Sequence, residues 1–169
     1  MKRTWFVDLD GVLVDFIQGL DIKGIPYILK EGTWDCLGSN FDYEILDEEF
    51  WTNLRPTRWC YSILTALEIY VKRENICLLS TALTAGAMAG KFKWIRHHLN
   101  RDFLKRIHFV HTKKYLAGPT HYLLDDADHN LEAFNHQGIL YPAFWNSRFA
   151  LKDDAFVTFY KDLSNMEPY

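Results

Sequence analysis

Two aspartates, Asp8 and Asp10, lie two residues apart at the end of a short apolar run and are followed by Gly11. Side chains two positions apart in an extended chain point to the same side, so the two carboxylates can share one site. Carboxylates held this close repel each other unless a cation or a shared proton separates them, and Mg²⁺ prefers such oxygen ligands. Because acids followed by glycine are also common in turns, this pair alone indicates a site without establishing one.

Three further polar clusters follow apolar runs later in the chain. The first offers hydroxyl and backbone N–H groups to phosphate oxygens, the second offers a positive charge, and the third offers carboxylates that would complete a metal site. Each cluster alone has an ordinary structural explanation, as a helix cap or a solvated surface. Their occurrence together and in this order favours a site for phosphate chemistry. The clusters are Ser80 and Thr81, Lys113 and Lys114, and Asp125 and Asp126.

The segments that carry these clusters alternate between strand and helix patterns. This alternation predicts an α/β fold with a Rossmann-like parallel sheet and helices on both faces, in which ligands bind beyond the carboxyl ends of the strands. The predicted strands are 4–8, 76–80, 107–111, 121–125 and 139–144. The predicted helices lie within 55–73, from Met88 to Leu99, from about Asn130 to a C-cap at Gly138, and within 153–163.

The stretch 19–53 interrupts the alternation of strands and helices. It is rich in aromatic and acidic residues and shows no clear helical or strand period. We therefore interpret it as a small, mainly helical cap that is inserted into a catalytic core formed by residues 1–18 and 54–169. No internal repeat or linker divides the chain into independent domains.

Charge and composition exclude several classes of function. The 169 residues include 19 Lys and Arg and 22 Asp and Glu, a formal charge of −3, so no global basic field attracts extended nucleic acid or an anionic membrane. No uncharged stretch is long enough to span a bilayer, and Asp8 and Asp10 interrupt the first apolar run, so we expect a cytoplasmic protein. The three cysteines form no CxxC motif, and their odd number argues against a disulfide framework.

The four clusters and their flanking residues resemble the motifs of the haloacid dehalogenase superfamily of phosphohydrolases. This resemblance implies that Asp8 attacks the phosphorus of a phosphate monoester and forms an aspartyl-phosphate. It also implies that Asp10 protonates the leaving oxygen and then activates the hydrolytic water. The matching stretches are FVDLDGVLVDF (6–16), ICLLST (76–81), KKYLA (113–117) and LLDDADHN (123–130).

The same resemblance implies a Mg²⁺ site formed by the first and fourth motifs. Its ligands would be Asp8, the backbone carbonyl of Asp10 and one acid of the pair Asp125 and Asp126. In the nucleotidases of this superfamily the second acid is the direct ligand, which here is Asp126. Asp125 would then act through water or by holding the other ligands.

The phosphate group would be bound by Ser80, Thr81 and a lysine of the third motif. The arrangement from Lys113 to Ala117 resembles the KxxLA pattern of the small phosphatases in the superfamily and favours Lys113. Lys114, its neighbour, remains the alternative.

Within the superfamily the chain is most similar to the 5′(3′)-deoxyribonucleotidases, which carry a short helical cap after the first motif. Their aromatic residues line a pocket for the base, and flat aromatic side chains stack on bases in general. Thr33 and His111 depart from the family pattern, so the base preference stays open. The resemblance assigns four residues to substrate binding: Phe16, Trp34, Trp51 and Lys91.

The leading hypothesis is a Mg²⁺-dependent phosphatase for a small phosphate monoester, and the resemblance favours a deoxyribonucleoside monophosphate. One alternative keeps the chemistry but changes the substrate to another phosphometabolite or to a nucleic-acid 3′-phosphate. The lack of a basic stripe counts against the nucleic acid. A second alternative is a non-catalytic phosphate-binding module, and the acid at Asp10 counts against it. Whether the chain forms a homodimer is open.

Overall fold

A five-stranded parallel sheet lies at the centre of the computed structural model, which describes residues 3–30 and 36–166. The strand order is β3-β2-β1-β4-β5, and every neighbouring pair is parallel. This sheet, with helices around it, confirms the predicted α/β, Rossmann-like fold. The strands are β1 (Thr4–Asp8), β2 (Ile76–Ser80), β3 (Ile107–Phe109), β4 (His121–Asp125) and β5 (Gly138–Leu140).

Six α-helices connect or cover these strands among the described residues. They are α1 (Phe16–Lys23), α2 (Glu48–Asn53), α3 (Cys60–Tyr70), α4 (Ala85–His98), α5 (Asp128–Ala133) and α6 (Ala155–Asn165). Short 3₁₀ turns lie at Tyr43–Ile45, Arg73–Asn75, Arg101–Lys105, Lys113–Leu116 and Phe149–Asp154. None of the described helices combines the length and the apolar character needed to cross a bilayer.

Both faces of the sheet are covered at the central strand β1, whose alternate residues point to opposite sides and pack into two different hydrophobic clusters. In β1, Trp5 and Val7 pack into the larger hydrophobic cluster, which includes residues of α3, α4 and α6. Phe6, between them, packs into a smaller cluster with Leu131 and Phe134 from the region of α5. The strands are therefore short apolar runs without a polar alternation, as expected for a sheet covered on both faces.

The register of the sheet brings the carboxyl ends of three strands to the same level. Asp8 of β1 is paired with Leu79 of β2, and Val7 is paired with Leu124 of β4. The residues that end or follow these strands therefore lie side by side at one edge. This edge is the one at which ligands of parallel sheets bind.

Helix α4 packs closely against α2 because α4 carries a glycine at the contact. A Cβ at Gly90 would lie 2.5 Å from the Cβ of Trp51 and 2.6 Å from the carbonyl oxygen of Glu48. The indole Nε1 of Trp94 on α4 donates to the carbonyl of Leu54, just after α2, at 2.8 Å. The short α2 is thereby held against the core, although six residues would form a marginal helix on their own.

The predicted C-cap at Gly138 is wrong. Helix α5 begins at Asp128 and ends at Ala133, and the chain turns through Asn135 and His136, whose φ angles are 55° and 56°. Asn is among the residues that adopt this left-handed conformation most readily, so the turn needs no glycine. Gly138 instead opens β5, where a Cβ would lie 1.9 Å from the backbone oxygen of Leu123. The glycine permits a close approach of two strands.

The predicted strands 107–111 and 139–144 are longer than the observed β3 and β5, which have three residues each. In the predicted cap, 19–53, the described residues form the end of α1, the turn Tyr43–Ile45 and α2. Gly19 lies inside α1, so the division of the chain into core and cap stays a prediction. Trp34 lies outside the described residues.

Candidate active site

A cavity of about 450 Å³ lies at the carboxyl edge of the sheet. Its floor is formed by acidic and basic residues that end or follow β1, β3 and β4, and another part of its wall by residues of the predicted cap. Candidate site residues that line this cavity are Asp8, Asp10, Phe16, Trp51, Thr81, Lys91, Lys113, Asp125 and Asp126. The structure therefore brings together all four predicted motifs.

Three buried carboxylates form the deepest part of the floor. Oxygen atoms of Asp8, Asp125 and Asp126 all lie within 4.8 Å of one another. The pKa of Asp8 is raised to about 7 by burial, with Lys113 opposing the shift and Asp125 and Asp10 adding to it. Burial, followed by the charges of Asp8 and Asp125, raises the pKa of Asp126 well above its ordinary value. Ionisation of these carboxyl groups is therefore unfavourable in the metal-free cluster, and a bound cation would stabilise their charged forms.

The surroundings of Asp126 fit a metal ligand. Its Oδ2 atom is buried and has no hydrogen-bond partner among the described residues. Gly11, with a φ of 84°, leaves the space beside it, because a Cβ there would lie 1.9 Å from this oxygen. Buried carboxylates normally have partners, so an unpartnered oxygen next to two others indicates a place for a hard cation such as Mg²⁺.

Asp125 is already held by protein groups on both oxygens. Its Oδ1 accepts hydrogen bonds from the backbone N–H of Ala127 at 2.9 Å and from the amide of Asn130 at 3.0 Å. Its Oδ2 accepts from Lys113 at 2.6 Å. Asp125 thus holds Lys113 and Asn130 in place, and the direct binding of a metal ion by Asp126 stays a prediction.

Lys113 lies between the first and fourth motifs, on the 3₁₀ turn that follows β3. Its ammonium is 2.5 Å from Oδ1 of Asp8 and 2.6 Å from Oδ2 of Asp125, and the side chain is buried. Burial opposes the charge, but Asp125 and Asp8 outweigh it and raise the pKa of Lys113. Lys114 is exposed and lies over the ring of Tyr115. The geometry thus supports Lys113 as the lysine of the site.

Asp10 is bound through one of its two oxygens. Its Oδ2 accepts hydrogen bonds from Ser80 Oγ at 3.3 Å and from the ammonium of Lys91. Ser80 is fully buried, and its hydroxyl also accepts from Lys91 at 2.9 Å. Thr81 lines the cavity, and its hydroxyl donates to the carbonyl of Val110 at 3.1 Å. Of the two hydroxyl residues, Thr81 therefore has the more direct access to a ligand.

The aromatic side chains of Phe16 and Trp51 form part of the cavity wall. Phe16 stacks on Trp51 with ring centroids 5.4 Å apart and an interplanar angle of 13°. The indole Nε1 of Trp51 donates to the carbonyl of Leu46 at 2.9 Å, and the ammonium of Lys91 lies 4.2 Å from the centre of the ring. Phe50 meets the edges of both rings.

The family described as 5′ nucleotidase, deoxy (pyrimidine), cytosolic type C, matches residues 30–162. The chain belongs to this family. A protein of Vibrio phage KVP40 that carries the provisional name 5′(3′)-deoxyribonucleotidase is 30% identical over 133 residues, which cover 76% of this chain and 69% of the phage protein. These similarities confirm the resemblance to the deoxyribonucleotidases that the motifs indicate.

Membership in the type C nucleotidase family makes the chain a hydrolase of nucleotide phosphate monoesters. The matched range contains Lys91 and Lys113 but begins after Asp8 and Asp10. The fold joins these two acids to the matched part, because Lys113 contacts Asp8 and Lys91 contacts Asp10. The N-terminal acids and the matched residues therefore form one site.

Several cavity residues of this nucleotidase were not identified as binding residues from the sequence. Asn130 could have been found, because it lies five residues after Asp125 at the start of a helix, a place from which a side chain can reach back to the strand end. Cys36 and Tyr43 carry no such signal, because the region around them lacks a period. His111 and His129 also line the cavity.

Proposed function

We propose that this nucleotidase is a Mg²⁺-dependent phosphatase that hydrolyses deoxyribonucleoside monophosphates through an aspartyl-phosphate on Asp8. The observation that carries the proposal is the cluster of Asp8, Asp125 and Asp126 with Lys113 beneath an aromatic wall. Acids and a lysine at the floor suit the phosphate, and the aromatic wall suits a base.

In the first step, an oxygen of Asp8 forms a bond to phosphorus as the ester P–O bond breaks. Asp10 gives a proton to the leaving oxygen, so the nucleoside leaves as an alcohol. Lys113 and Thr81 hold the phosphate oxygens. Mg²⁺ bound by Asp8, the backbone carbonyl of Asp10 and Asp126 would supply positive charge that offsets the repulsion between the carboxylate and the dianionic ester.

In the second step, water attacks the phosphorus of the aspartyl-phosphate and Asp10 accepts a proton from it. The P–O bond to Asp8 breaks, which releases inorganic phosphate and restores the carboxylate. The buried pair of Asp8 and Lys113 supports the role of Asp8 as nucleophile and of Lys113 as a phosphate ligand. The Lys113 ammonium is 2.5 Å from Oδ1 of Asp8. A positive charge in place does not have to be reorganised during the transfer.

The base of the nucleotide would be bound by the aromatic residues Phe16, Trp34 and Trp51, with Lys91 at the same side of the cavity. The cavity volume of about 450 Å³ is in the range of small-molecule sites and suits a mononucleotide. Phe16 and Trp51 support the proposal, because both line the cavity that contains the predicted phosphate site.

Release of phosphate from a deoxyribonucleoside monophosphate, measured with Mg²⁺ and with excess chelator, tests the chemistry. The Asp8→Asn variant and the chelated enzyme should both lose turnover. The matched control is Asp153→Asn, because this acid is 88% exposed at its side chain and does not line the cavity. Full activity of Asp8→Asn, with the control also active, would contradict the mechanism.

Comparison with 2-deoxyribose 5-phosphate, which lacks the base, tests the assignment of the substrate. Trp34→Ala should lower kcat/KM for the nucleotide by the amount expected of one stacking partner, about 1–3 kcal/mol, and leave the sugar phosphate nearly unchanged. An equal loss for both substrates would remove the support for a base pocket at Trp34, although the phosphatase chemistry would stand.

A further inference from the structure

All three N–H groups of the Lys91 ammonium are engaged within the protein. They donate to Oδ2 of Asp10, to Ser80 Oγ at 2.9 Å and to the backbone oxygen of Thr81 at 2.7 Å. An ammonium has three donors and no acceptor. The Lys91 side chain is only 4% exposed, so a direct contact with substrate would require breaking one of these bonds.

The contacts of Asp10 are confined to one oxygen. Lys91 and Ser80 both bind Oδ2, whereas Oδ1 is buried and has no hydrogen-bond partner within the described part of the chain. A carboxylate held by one oxygen has a defined orientation, and its other oxygen is available. Oδ1 of Asp10 is therefore the oxygen that no described protein group binds, and the one left for proton transfer.

Trp51 restrains Lys91 from the cap side. The ammonium lies 4.2 Å from the centre of the indole ring, a distance at which a desolvated cation is attracted to the ring face. The indole itself is fixed by its hydrogen bond to Leu46 and by the stack on Phe16. Trp51 is only 7% exposed, so most of its surface is already used by protein contacts.

We propose that Lys91 and Trp51 are positioning residues for proton transfer by Asp10: the ammonium anchors Oδ2, and the indole holds the ammonium. The inference rests on the proposed function, because it concerns the step in which the ester P–O bond breaks, the Asp8–phosphorus bond forms and the proton moves from Asp10 to the leaving oxygen. In this proposal Lys91 and Trp51 affect the rate of this step even for a substrate that has no nucleobase.

Two esters with the same ring separate this role from substrate binding. Phenyl phosphate has a poor leaving group that needs the proton of Asp10, whereas p-nitrophenyl phosphate has a good leaving group that departs without it. The ratio kcat/KM is the quantity to compare, because it reports only the steps up to departure of the leaving group. Loss of phosphate contacts or of ring stacking would affect both esters alike.

Lys91→Met should lower kcat/KM for phenyl phosphate by about tenfold or more, a part of the 10²–10⁴-fold that a positioned acid typically contributes. The value for p-nitrophenyl phosphate should fall much less. Equal losses for the two esters would overturn the proposal, because they would show a phosphate contact or a general disturbance of the site.

Trp51→Leu should show the same selective loss, to a smaller extent, and Trp51→Phe should recover most of it because it restores a ring face under the ammonium. Trp94→Leu is the matched control. It removes a buried tryptophan from the same pair of helices, where the indole contacts the Leu54 carbonyl. This control should keep the wild-type ratio between the two esters, whatever its effect on stability.

A double-mutant cycle with Asp10→Asn identifies the residue through which Lys91 acts. In the Asp10→Asn background, Lys91→Met should cause no further loss for phenyl phosphate. A further tenfold loss there would overturn the proposal. The proposed function has its own test in the same data, because Asp10→Asn alone must show the selective loss. If it does and Lys91→Met does not, only the positioning role fails.

Discussion

Asp125 and Asp126 are neighbours in the chain, yet their carboxylates meet different surroundings. Both oxygens of Asp125 accept hydrogen bonds, from Ala127, Asn130 and Lys113, whereas Oδ2 of Asp126 has no partner among the described residues. Asp125 accepts hydrogen bonds on both oxygens and therefore orients the groups that donate them. Asp126 has an oxygen without a donor, which can bind a cation.

We expect Asp126→Asn to weaken Mg²⁺ binding by tenfold or more and Asp125→Asn to lower thermal stability more than Mg²⁺ affinity. The first change removes the charge from the open oxygen, and the second leaves Lys113 with one partner fewer in a buried place. Calorimetric titration with Mg²⁺ and thermal unfolding of both variants check this. A larger loss of affinity in Asp125→Asn would exchange the two roles.

At Lys113 the expected effect is on both activity and stability. Lys113→Met should lower turnover about 100-fold or more and also destabilise the fold, because it leaves Asp8 and Asp125 without their shared cation. Lys114→Met, its exposed neighbour, is the matched control and should stay within about twofold of wild type. Phosphate release and urea unfolding are the measurements. A stronger effect at Lys114 would place the third motif one residue later.

Residue types and their order were sufficient to predict the four motifs, but not the contacts within them. The family pattern favours Lys113 and Asp126 over their neighbours. The burial of Lys113 and the exposure of Lys114, in contrast, are visible only in the fold. The role of Lys91 depends on the distance between α4 and α2, which is set by tertiary packing. No local pattern near Lys91 contains that information.

At the scale of elements, the strands were predictable from short apolar runs, and three of them (β1, β2 and β4) also end in a polar cluster. Their lengths were less so, since β3 and β5 have only three residues and their ends depend on neighbouring strands. Helix α2 was hidden in an aperiodic stretch, because six residues give too few turns for a pattern. Helix α2 is placed by its close contact with α4, which Gly90 permits.

Gly90→Ala should destabilise the protein by about 1–3 kcal/mol, because its Cβ would lie 2.5 Å from Trp51 and 2.6 Å from the backbone of Glu48. The matched control on the same helix is Gly86→Ala, whose Cβ would be 3.1 Å from the nearest atom. Gly86→Ala should cost less, because the contact is looser and the helix preference of alanine can offset it. Urea unfolding of both variants measures the difference. Equal stabilities would show that α2 can shift away without loss.

At the scale of the whole molecule, negative charge is concentrated at the site, which has more net negative charge per residue than the chain as a whole. The chain carries −3 over 169 residues, whereas four aspartates (Asp8, Asp10, Asp125 and Asp126) and two lysines (Lys91 and Lys113) meet at one edge of the sheet. Such a site repels a phosphate dianion unless a cation is bound. Binding of substrate, metal affinity and folding are therefore coupled through the same carboxylates.

The sign of this coupling follows from the raised pKa values of Asp8 and Asp126. A carboxyl group whose pKa is raised in the folded state binds protons more tightly there, so its contribution to stability is present at low pH and is lost as the pH rises. For Asp8 this loss of stability occurs between about pH 4 and about pH 7. The raised pKa of Lys113 keeps its contribution constant in this range, and the lowered pKa of His98 acts in the opposite direction.

We therefore expect the metal-free protein to become less stable between about pH 4 and about pH 7, and Mg²⁺ to reduce this loss because it favours the charged carboxylates. Each kcal/mol corresponds to about 2–4 °C in melting temperature for a domain of this size. Thermal unfolding in chelator and in Mg²⁺ across this pH range measures both effects. Asp8→Asn removes the titration of Asp8 and also the effect of its charge on the pKa of Asp126, whereas the titration of His98 is unchanged. A metal-free protein that gains stability over this interval, or a pH dependence that is identical in Asp8→Asn, would show that the carboxylate cluster does not limit stability.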